Sequence, residues 1–226
     1  MARRHLIFPT LGVLGLLALA PAAAQAEDRP APPRVDVLRA NLEPVPHHPS
    51  ADSGSNVSGR ATLVQRGEEL RAVLFARGLS PNLPHVAHIH GRIDAVNECP
   101  SLAADTNDDG LIDTLEGLPA YGPIDVSFTT SGGTSGAFAD ALALDRAPVA
   151  NRAGILTYQR EFALPDVPVD SATLADSLDD LHIVIHGEDL NDNGKYDGAL
   201  SPVLSMAAGG DVPLEAELPV ACGTLD

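Results

Sequence analysis

The feature that most constrains this chain is a series of short segments in which apolar and polar residues alternate. Gly, Pro, Asn, Asp and Ser separate these segments. Alternation with a period of two places the apolar side chains on one face of a β-strand. Strands of this length and spacing predict an antiparallel β-sandwich or barrel. The predicted strands are residues 35–40, 58–65, 69–76, 85–90, 124–129, 136–144, 156–163, 181–186 and 216–221.

The same pattern predicts a single folded domain over residues 34–226, preceded by a flexible, proline-rich segment at 27–33. Residues 66–68 (Arg-Gly-Glu) predict a hairpin turn between the second and third strands. One helix is predicted, near residues 171–179, where Leu174 and Leu178 lie one turn apart and a polar residue precedes them.

Residues 1–26 have the three parts of a secretory signal peptide. Arg3 and Arg4 give a positive start, residues 6–20 are mostly apolar, and Ala24-Gln25-Ala26 is a cleavage signal. The alternative is an uncleaved membrane anchor, but the apolar run is short and broken at Pro9. We therefore expect a secreted or periplasmic protein that does not insert into a membrane after cleavage.

The chain is strongly acidic, with a formal net charge of −17 from 31 acidic and 14 basic residues. Such a surface repels the phosphates of nucleic acids and attracts cations. We therefore expect metal ions as partners, together with an extracellular protein or surface partner, and no nucleic acid.

The chain has two cysteines, Cys99 and Cys222. An exported chain with a small, even number of cysteines most simply forms one disulfide. Two separate thiols are the alternative.

Residues 105–116 (DTNDDGLIDTLE) have the spacing of a twelve-residue calcium loop. Gly110 stands at position 6, and the apolar Ile112 at position 8 can anchor the loop to the core. Long flanking helices are not predicted, so we expect an isolated calcium loop inserted in a β domain. The alternative is a solvated acidic loop. The candidate ligands are Asp105, Asn107, Asp109, the Leu111 carbonyl, Asp113 and Glu116.

Residues 189–200 (DLNDNGKYDGAL) repeat this spacing through position 9. Position 12 is Leu200, so the bidentate carboxylate is missing and we expect weaker calcium binding. A turn stabilised by its own Asn and Asp side chains fits the segment equally well. The candidate ligands are Asp189, Asn191, Asn193, the Lys195 carbonyl and Asp197.

Histidines cluster in two of the predicted strands. His88 and His90 are two residues apart, and His182 and His186 four apart, so each pair shares one face of its strand. His85 joins them only if Pro84 bends the chain. Converging neutral imidazoles suit copper or zinc. Hydrogen bonds from these rings to the backbone or to the acidic loops are the alternative.

Several segments resemble the chordin-type (CHRD) domain family. They include the run GLSPNLPHVAHIHG at residues 78–91. The resemblance covers most of residues 34–222 and implies an extracellular β domain without a settled biochemical activity. The other segments are residues 41–46, 58–61, 122–124 and 181–187.

A more distant resemblance is to the copper/zinc superoxide dismutases. His88-Ile89-His90 is similar to their copper-binding H-x-H pair, and Val184-Ile185-His186 to the strand with their last copper histidine. Residues 220–223 (VACG) are similar to their C-terminal half-cystine segment, whose partner cysteine follows the H-x-H strand, as Cys99 does. The resemblance implies a Greek-key sandwich, copper at these histidines, and a Cys99–Cys222 disulfide.

The chain departs from the dismutase pattern in two places. No histidine lies between His90 and His182, where the bridging and zinc ligands would stand, and residues 105–116 occupy part of that stretch. The arginine expected three residues before the last cysteine is Pro219. Without it, and with this acidic charge, the chain lacks a guide for an anionic substrate.

These observations favour an exported, non-catalytic, metal-binding β-sandwich stabilised by calcium. One alternative is an enzyme, a copper-only dismutase-like protein using His88, His90 and His186, with His85 or His182 as a further ligand. Another is a protein that stores or delivers copper at the same histidines without turnover.

Overall fold

The computed structural model describes residues 35–47, 55–91, 98–163 and 181–226. The predicted signal peptide (1–26), the segment 27–33 and the predicted helix at 171–179 lie outside these residues. None of the described helices is both long and apolar enough to cross a bilayer.

The described residues form eight β-strands and four short α-helices, with 3₁₀ turns at Leu102–Ala104 and Leu144–Arg146. The strands are β1 (Val35–Pro44), β2 (Ser58–Arg66), β3 (Glu69–Arg77), β4 (Ala87–Gly91), β5 (Ile124–Ser127), β6 (Ile155–Ala163), β7 (Leu181–His186) and β8 (Pro219–Thr224). The helices are α1 (Thr114–Tyr121), α2 (Phe138–Ala141), α3 (Pro202–Ala208) and α4 (Leu214–Glu217).

All strands belong to one antiparallel sheet in the order β5-β4-β7-β8-β1-β2-β3-β6. The strand β1 joins two halves of this sheet. Val35–Leu42 pair with β2, whereas only Glu43 and Pro44 pair with β8. Residues from both halves share one core, so the sheet is curled and β-sandwich-like. The all-β antiparallel fold is confirmed, and the Greek-key connection stays a prediction.

The two halves of the sheet differ in burial. In β1, β2 and β3 buried and exposed residues alternate, because one face packs on the core and the other meets water. Every described residue of β4 and β7 is buried. The outer face of this half is covered by the segment between β4 and β5, where Ile112 and Tyr121 pack against Val184 of β7.

Two predicted strands are corrected by the structure. Residues 136–144 contain the helix α2, and residues 216–221 are divided between the end of α4 and the start of β8. The alanine-rich sequence of 136–144 alternates only weakly, and alanine favours a helical turn. Asp140 also bends this segment back on itself, because its carboxylate accepts hydrogen bonds from the Ser135 N–H (3.1 Å) and hydroxyl (2.7 Å).

The helix α1 was not predicted. It starts at position 10 of the first acidic loop, so this loop does have a helix on its C-terminal side. Asp113 caps the helix and forms a reciprocal capping box with Glu116. The D-x-x-E spacing was the sequence signal for this helix.

Candidate metal centre

The strands β4 and β7 are antiparallel neighbours, and this pairing brings the two histidine segments together. His88 and His90 lie on one face of β4, because they are two residues apart. His186 ends β7 at a point where its pairing with β8 shifts register.

Three imidazoles converge at this place. One ring nitrogen from each of His88, His90 and His186 lies within 4.8 Å of the others. The ring centroids are 5.4 Å apart for His88 and His90, 5.1 Å for His88 and His186, and 5.7 Å for His90 and His186. All three side chains are buried. This is the one such group in the part of the chain that the structure describes.

Backbone carbonyl oxygens fix the orientation of each ring. Because a carbonyl only accepts, the ring nitrogen that faces it carries the proton. His88 Nε2 donates to Ala141 O (3.0 Å), His90 Nδ1 to Gly122 O (2.8 Å) and His186 Nδ1 to Glu217 O (2.7 Å). In a neutral imidazole the other nitrogen then presents a lone pair.

The remaining nitrogens are His88 Nδ1, His90 Nε2 and His186 Nε2. Each is buried and has no hydrogen bond to the described residues. Three buried acceptors without a donor are costly, and a cation would satisfy all of them at once. Metal-binding histidines commonly donate their second N–H to a backbone carbonyl, as all three do here. The residues present therefore fit a transition-metal ion.

Burial also keeps these rings uncharged. Desolvation, reinforced by the neighbouring histidines, lowers the pKa of His90 to about 3 and that of His88 well below its usual value. Desolvation lowers the pKa of His186 to about 4, against the opposing effect of its hydrogen bond to Glu217 O. At neutral pH all three rings are in the form that binds metals.

The other two candidate histidines are not part of this group. Both nitrogens of His85 lie within hydrogen-bond distance of carbonyl oxygens, those of His186 (3.1 Å) and Ser80 (3.0 Å). His182 is paired with His90 across the strands but lies outside the converging set.

A cavity of about 220 Å³ adjoins the three histidines. Its polar lining besides the histidines consists of Thr114 and Glu217, and no Lys or Arg is among the described residues that line it. The rest of the lining is Val86, Leu115, Leu118, Pro123, Ile124, Gly136, Phe138, Ala141, Leu142 and Leu204.

Glu217 and Thr114 line the cavity but were not predicted from the sequence as residues of the site. The Glu217 carboxylate is buried and accepts the Thr114 N–H (2.8 Å), while the Thr114 hydroxyl donates to Glu217 O (2.7 Å). Burial raises the pKa of Glu217. Because that carbonyl also accepts from His186, Thr114 ties α1 to the histidine group. The only sequence signal was a pair of glutamates in the apolar segment before β8.

The two acidic loops adopt the same conformation. Positions 4 and 6 have positive φ angles in both, 59° and 92° at Asp108 and Gly110, and 56° and 83° at Asp192 and Gly194.

The two loops also share a set of hydrogen bonds. Side-chain oxygens at positions 1, 3 and 5 accept the backbone N–H groups of positions 6, 5 and 7, respectively. In the first loop these pairs are Asp105–Gly110 (2.9 Å), Asn107–Asp109 (2.8 Å) and Asp109–Leu111 (2.9 Å). In the second they are Asp189–Gly194 (2.7 Å), Asn191–Asn193 (3.1 Å) and Asn193–Lys195 (3.1 Å).

Each loop also encloses one glutamate carboxylate. In the first loop, Glu116 accepts the N–H groups of positions 2 and 9, at 2.9 and 3.2 Å. In the second, Glu215 of α4 accepts the N–H groups of the same two positions, Leu190 (3.1 Å) and Asp197 (2.6 Å). Glu215 is only 4% exposed. Glu215 lies outside the second loop but makes the same contacts as Glu116, which is position 12 of the first loop. Position 12 of the second loop is Leu200, which has no carboxylate.

The first loop is fastened to the sheet at two points near the histidines. The Cys99–Cys222 disulfide, with a Cα–Cα distance of 5.7 Å, joins the segment before the loop to β8 and confirms the predicted bridge. The Ile112 N–H donates to His47 Nδ1 (3.0 Å), and His47 Nε2 donates to Pro219 O (3.1 Å). Ile112 is fully buried, as its place in the loop predicted.

A comparison with models of known protein families finds no match to this chain, and a comparison with curated proteins finds none either.

Proposed function

We propose that this protein is an exported, non-catalytic module that binds one transition-metal ion through His88, His90 and His186. The observation that carries the proposal is the convergence of three buried imidazoles, each of which has one ring nitrogen without a hydrogen-bond partner among the described residues. An all-imidazole site suits copper and zinc, and copper binds such sites more tightly. Copper is therefore the ion that we propose.

The proposal of export has two supports. Residues 1–26 have the pattern of a signal peptide, and a disulfide is stable outside the reducing cytoplasm. The chordin-type domain to which the sequence is similar is extracellular, and the antiparallel β fold is compatible with that family. We propose membership in it on these grounds.

The cavity favours binding over dismutation. A superoxide anion approaching the histidines would meet a buried carboxylate, Glu217, and no basic side chain among the described lining residues. The net charge of −17 opposes the approach of an anion as well. Copper-loaded protein that consumed superoxide far faster than a copper-free control would overturn the non-catalytic proposal in favour of an enzyme.

Calcium binding is the second part of the proposal. It is supported by the ligand spacing of both loops, by their shared conformation, and by one enclosed carboxylate in each. The first loop lies next to the histidine group through α1, so calcium there would order one wall of the cavity. Two calcium ions per chain are expected.

Metal uptake by the purified mature protein tests the copper proposal. Equilibrium dialysis against copper, followed by elemental analysis, should give one ion per chain that resists competition by excess zinc. His186→Asn should lose this ion. The matched control is His182→Asn, which alters a buried histidine of the same strand outside the converging set.

The control separates ligation from folding. Both variants replace a buried imidazole, so a loss of metal in His186→Asn alone identifies a ligand. Equal copper binding by the native protein and the His186→Asn variant would refute the site. Calcium is tested separately by the rise in melting temperature that a ligand of the folded state must produce. An unchanged melting temperature at millimolar calcium would refute that part.

A further inference from the structure

We propose that the cavity beside the histidines binds a small neutral molecule with an apolar body and a nitrogen-donor head of the imidazole type. The head would coordinate the ion held by the histidines, so this inference rests on the proposed function. It goes further by naming the class of ligand that the site accepts.

The size and walls of the cavity indicate a ligand with an apolar body. Its volume is about 220 Å³, and a protein cavity of about 150 Å³ accommodates benzene. Three large apolar side chains of the lining remain partly exposed: Leu115 (36%), Leu118 (38%) and Phe138 (47%). A bound apolar group would cover these surfaces and remove them from water.

The side chains of the cavity favour a neutral body over an anionic one. Glu217 is the only acidic side chain of the described lining, and no Lys or Arg is among the described residues that line it. An anionic body would lose its hydration on entering, and the bound ion would be its one source of positive charge. A neutral body has no such cost.

The donor head follows from the number of protein ligands. Three histidines converge, whereas a tetrahedral zinc ion or a square-planar Cu(II) ion has four ligands, so a site with three protein ligands leaves a position for an external one. Nitrogen donors of the imidazole type suit the same ions as the histidines do. The cavity then holds the rest of the molecule.

The test compares imidazole, 4-phenylimidazole and azide as ligands of the copper-loaded protein, followed by the visible and electron paramagnetic resonance spectra of the copper. The copper content is measured first. The phenyl ring should raise affinity roughly tenfold or more over imidazole, because it buries apolar surface in the cavity. Azide, an anion of small size, should bind more weakly than 4-phenylimidazole.

A pair of leucine variants shows where the phenyl ring binds. Leu118→Gln should abolish the advantage of 4-phenylimidazole while leaving the affinity for imidazole and the copper content unchanged. Leu190→Gln is the matched control, because Leu190 has the same exposure (38%) and lies outside the cavity lining. It should leave the advantage intact.

The outcomes separate this proposal from the previous one. Protein that takes up no copper refutes both. Protein that takes up copper, yet binds imidazole and 4-phenylimidazole equally or azide most tightly, overturns the ligand proposal and leaves the copper proposal standing. Equal losses in the Leu118 and Leu190 variants would also overturn it, because the phenyl ring would then bind elsewhere.

Discussion

Glu116 and Glu215 place their carboxylates at equivalent points of the two acidic loops, although only Glu116 belongs to the loop that encloses it. Each accepts the backbone N–H groups of loop positions 2 and 9. Position 12 of the second loop, Leu200, is 46% exposed. A residue fifteen positions further along the sequence therefore supplies the carboxylate that this loop lacks.

The equivalence predicts that Glu215→Gln removes the second calcium ion. Glutamine keeps the volume of the side chain and one oxygen acceptor, so the fold should survive while the bidentate carboxylate is lost. The number of calcium ions bound per chain, measured by calorimetric titration, should fall from two to one. Glu116→Gln is the matched variant for the first loop. Two ions bound with unchanged affinity by Glu215→Gln would contradict the prediction.

The sequence predicted the sheet well where strands have one wet face. Alternation marks β1, β2 and β3 to within a few residues, because one face of each contacts water. The strand β7 was also predicted with its observed bounds, from a run of apolar residues flanked by histidines. The failures lie at 136–144 and 216–221, where short helices interrupt apolar segments and local alternation does not decide the conformation.

The candidate site could be predicted only in part, for a related reason. Histidines two residues apart on a strand share a face, so His88 and His90 were accessible to sequence reasoning. The resemblance to the dismutases added His186, and the structure brings His186 together with this pair. His85 and His182, the candidates for a further ligand, lie outside the group because the fold, not the local spacing, decides which rings converge. Glu215 and Glu217 reach their places through contacts with residues that are distant in sequence, which no local pattern encodes.

We predict that the metal-free protein loses stability as the pH falls from about 7 to 4. Burial holds the pKa of His90 at about 3 and that of His186 at about 4, whereas the unfolded-state value is 6.5. Below pH 6.5 the unfolded state therefore binds protons that the folded state does not, and acid favours unfolding. Between its folded-state pKa and 6.5, each such histidine lowers the free energy of unfolding by about 1.4 kcal/mol for every unit by which the pH falls.

Urea unfolding of native protein and of His90→Gln at several pH values isolates this effect. Glu188 has the opposite influence, because burial raises its pKa to about 7 and the folded state then holds the extra proton. Its contribution is common to both proteins and cancels in the comparison. The variant should show a shallower loss of stability between pH 6 and 4. Parallel curves for the two proteins would show that His90 is protonated in the fold.

Removal of the disulfide should lower the free energy of unfolding by about 2–5 kcal/mol. The bridge closes a loop of 123 positions between Cys99 and Cys222, and Cys222 lies in a buried cluster with Val184 and Tyr121. The double variant Cys99→Ala/Cys222→Ala, compared with the native protein by urea unfolding, measures this difference. Treatment of the native protein with a reductant should give the same shift, and an unchanged unfolding midpoint in both experiments would contradict it.

The last prediction concerns Gly117, which faces Tyr121 one turn later in α1. A Cβ at this position would lie 2.5 Å from the Tyr121 Cε1 and hydroxyl oxygen atoms. Tyr121 is fully buried, and its ring packs against His90 with centroids 4.6 Å apart, so it has little room to yield. Gly→Ala favours a helix by about 1 kcal/mol, whereas overpacking a core costs about 1–3 kcal/mol. We expect Gly117→Ala to destabilise the protein by about 1 kcal/mol, because the clash outweighs the propensity.

The sign of this effect should reverse when the ring is removed. In a Tyr121→Leu background the added methyl group no longer meets an aromatic ring, and Gly117→Ala should then stabilise the protein through helix propensity alone. Urea unfolding of the four proteins gives the coupling between the two positions. Additive effects, or stabilisation by Gly117→Ala with Tyr121 in place, would mean that the ring does not pack on this glycine. With Tyr121 in place, Gly117→Ala should also weaken copper binding, because a displaced Tyr121 moves the His90 ring that it contacts.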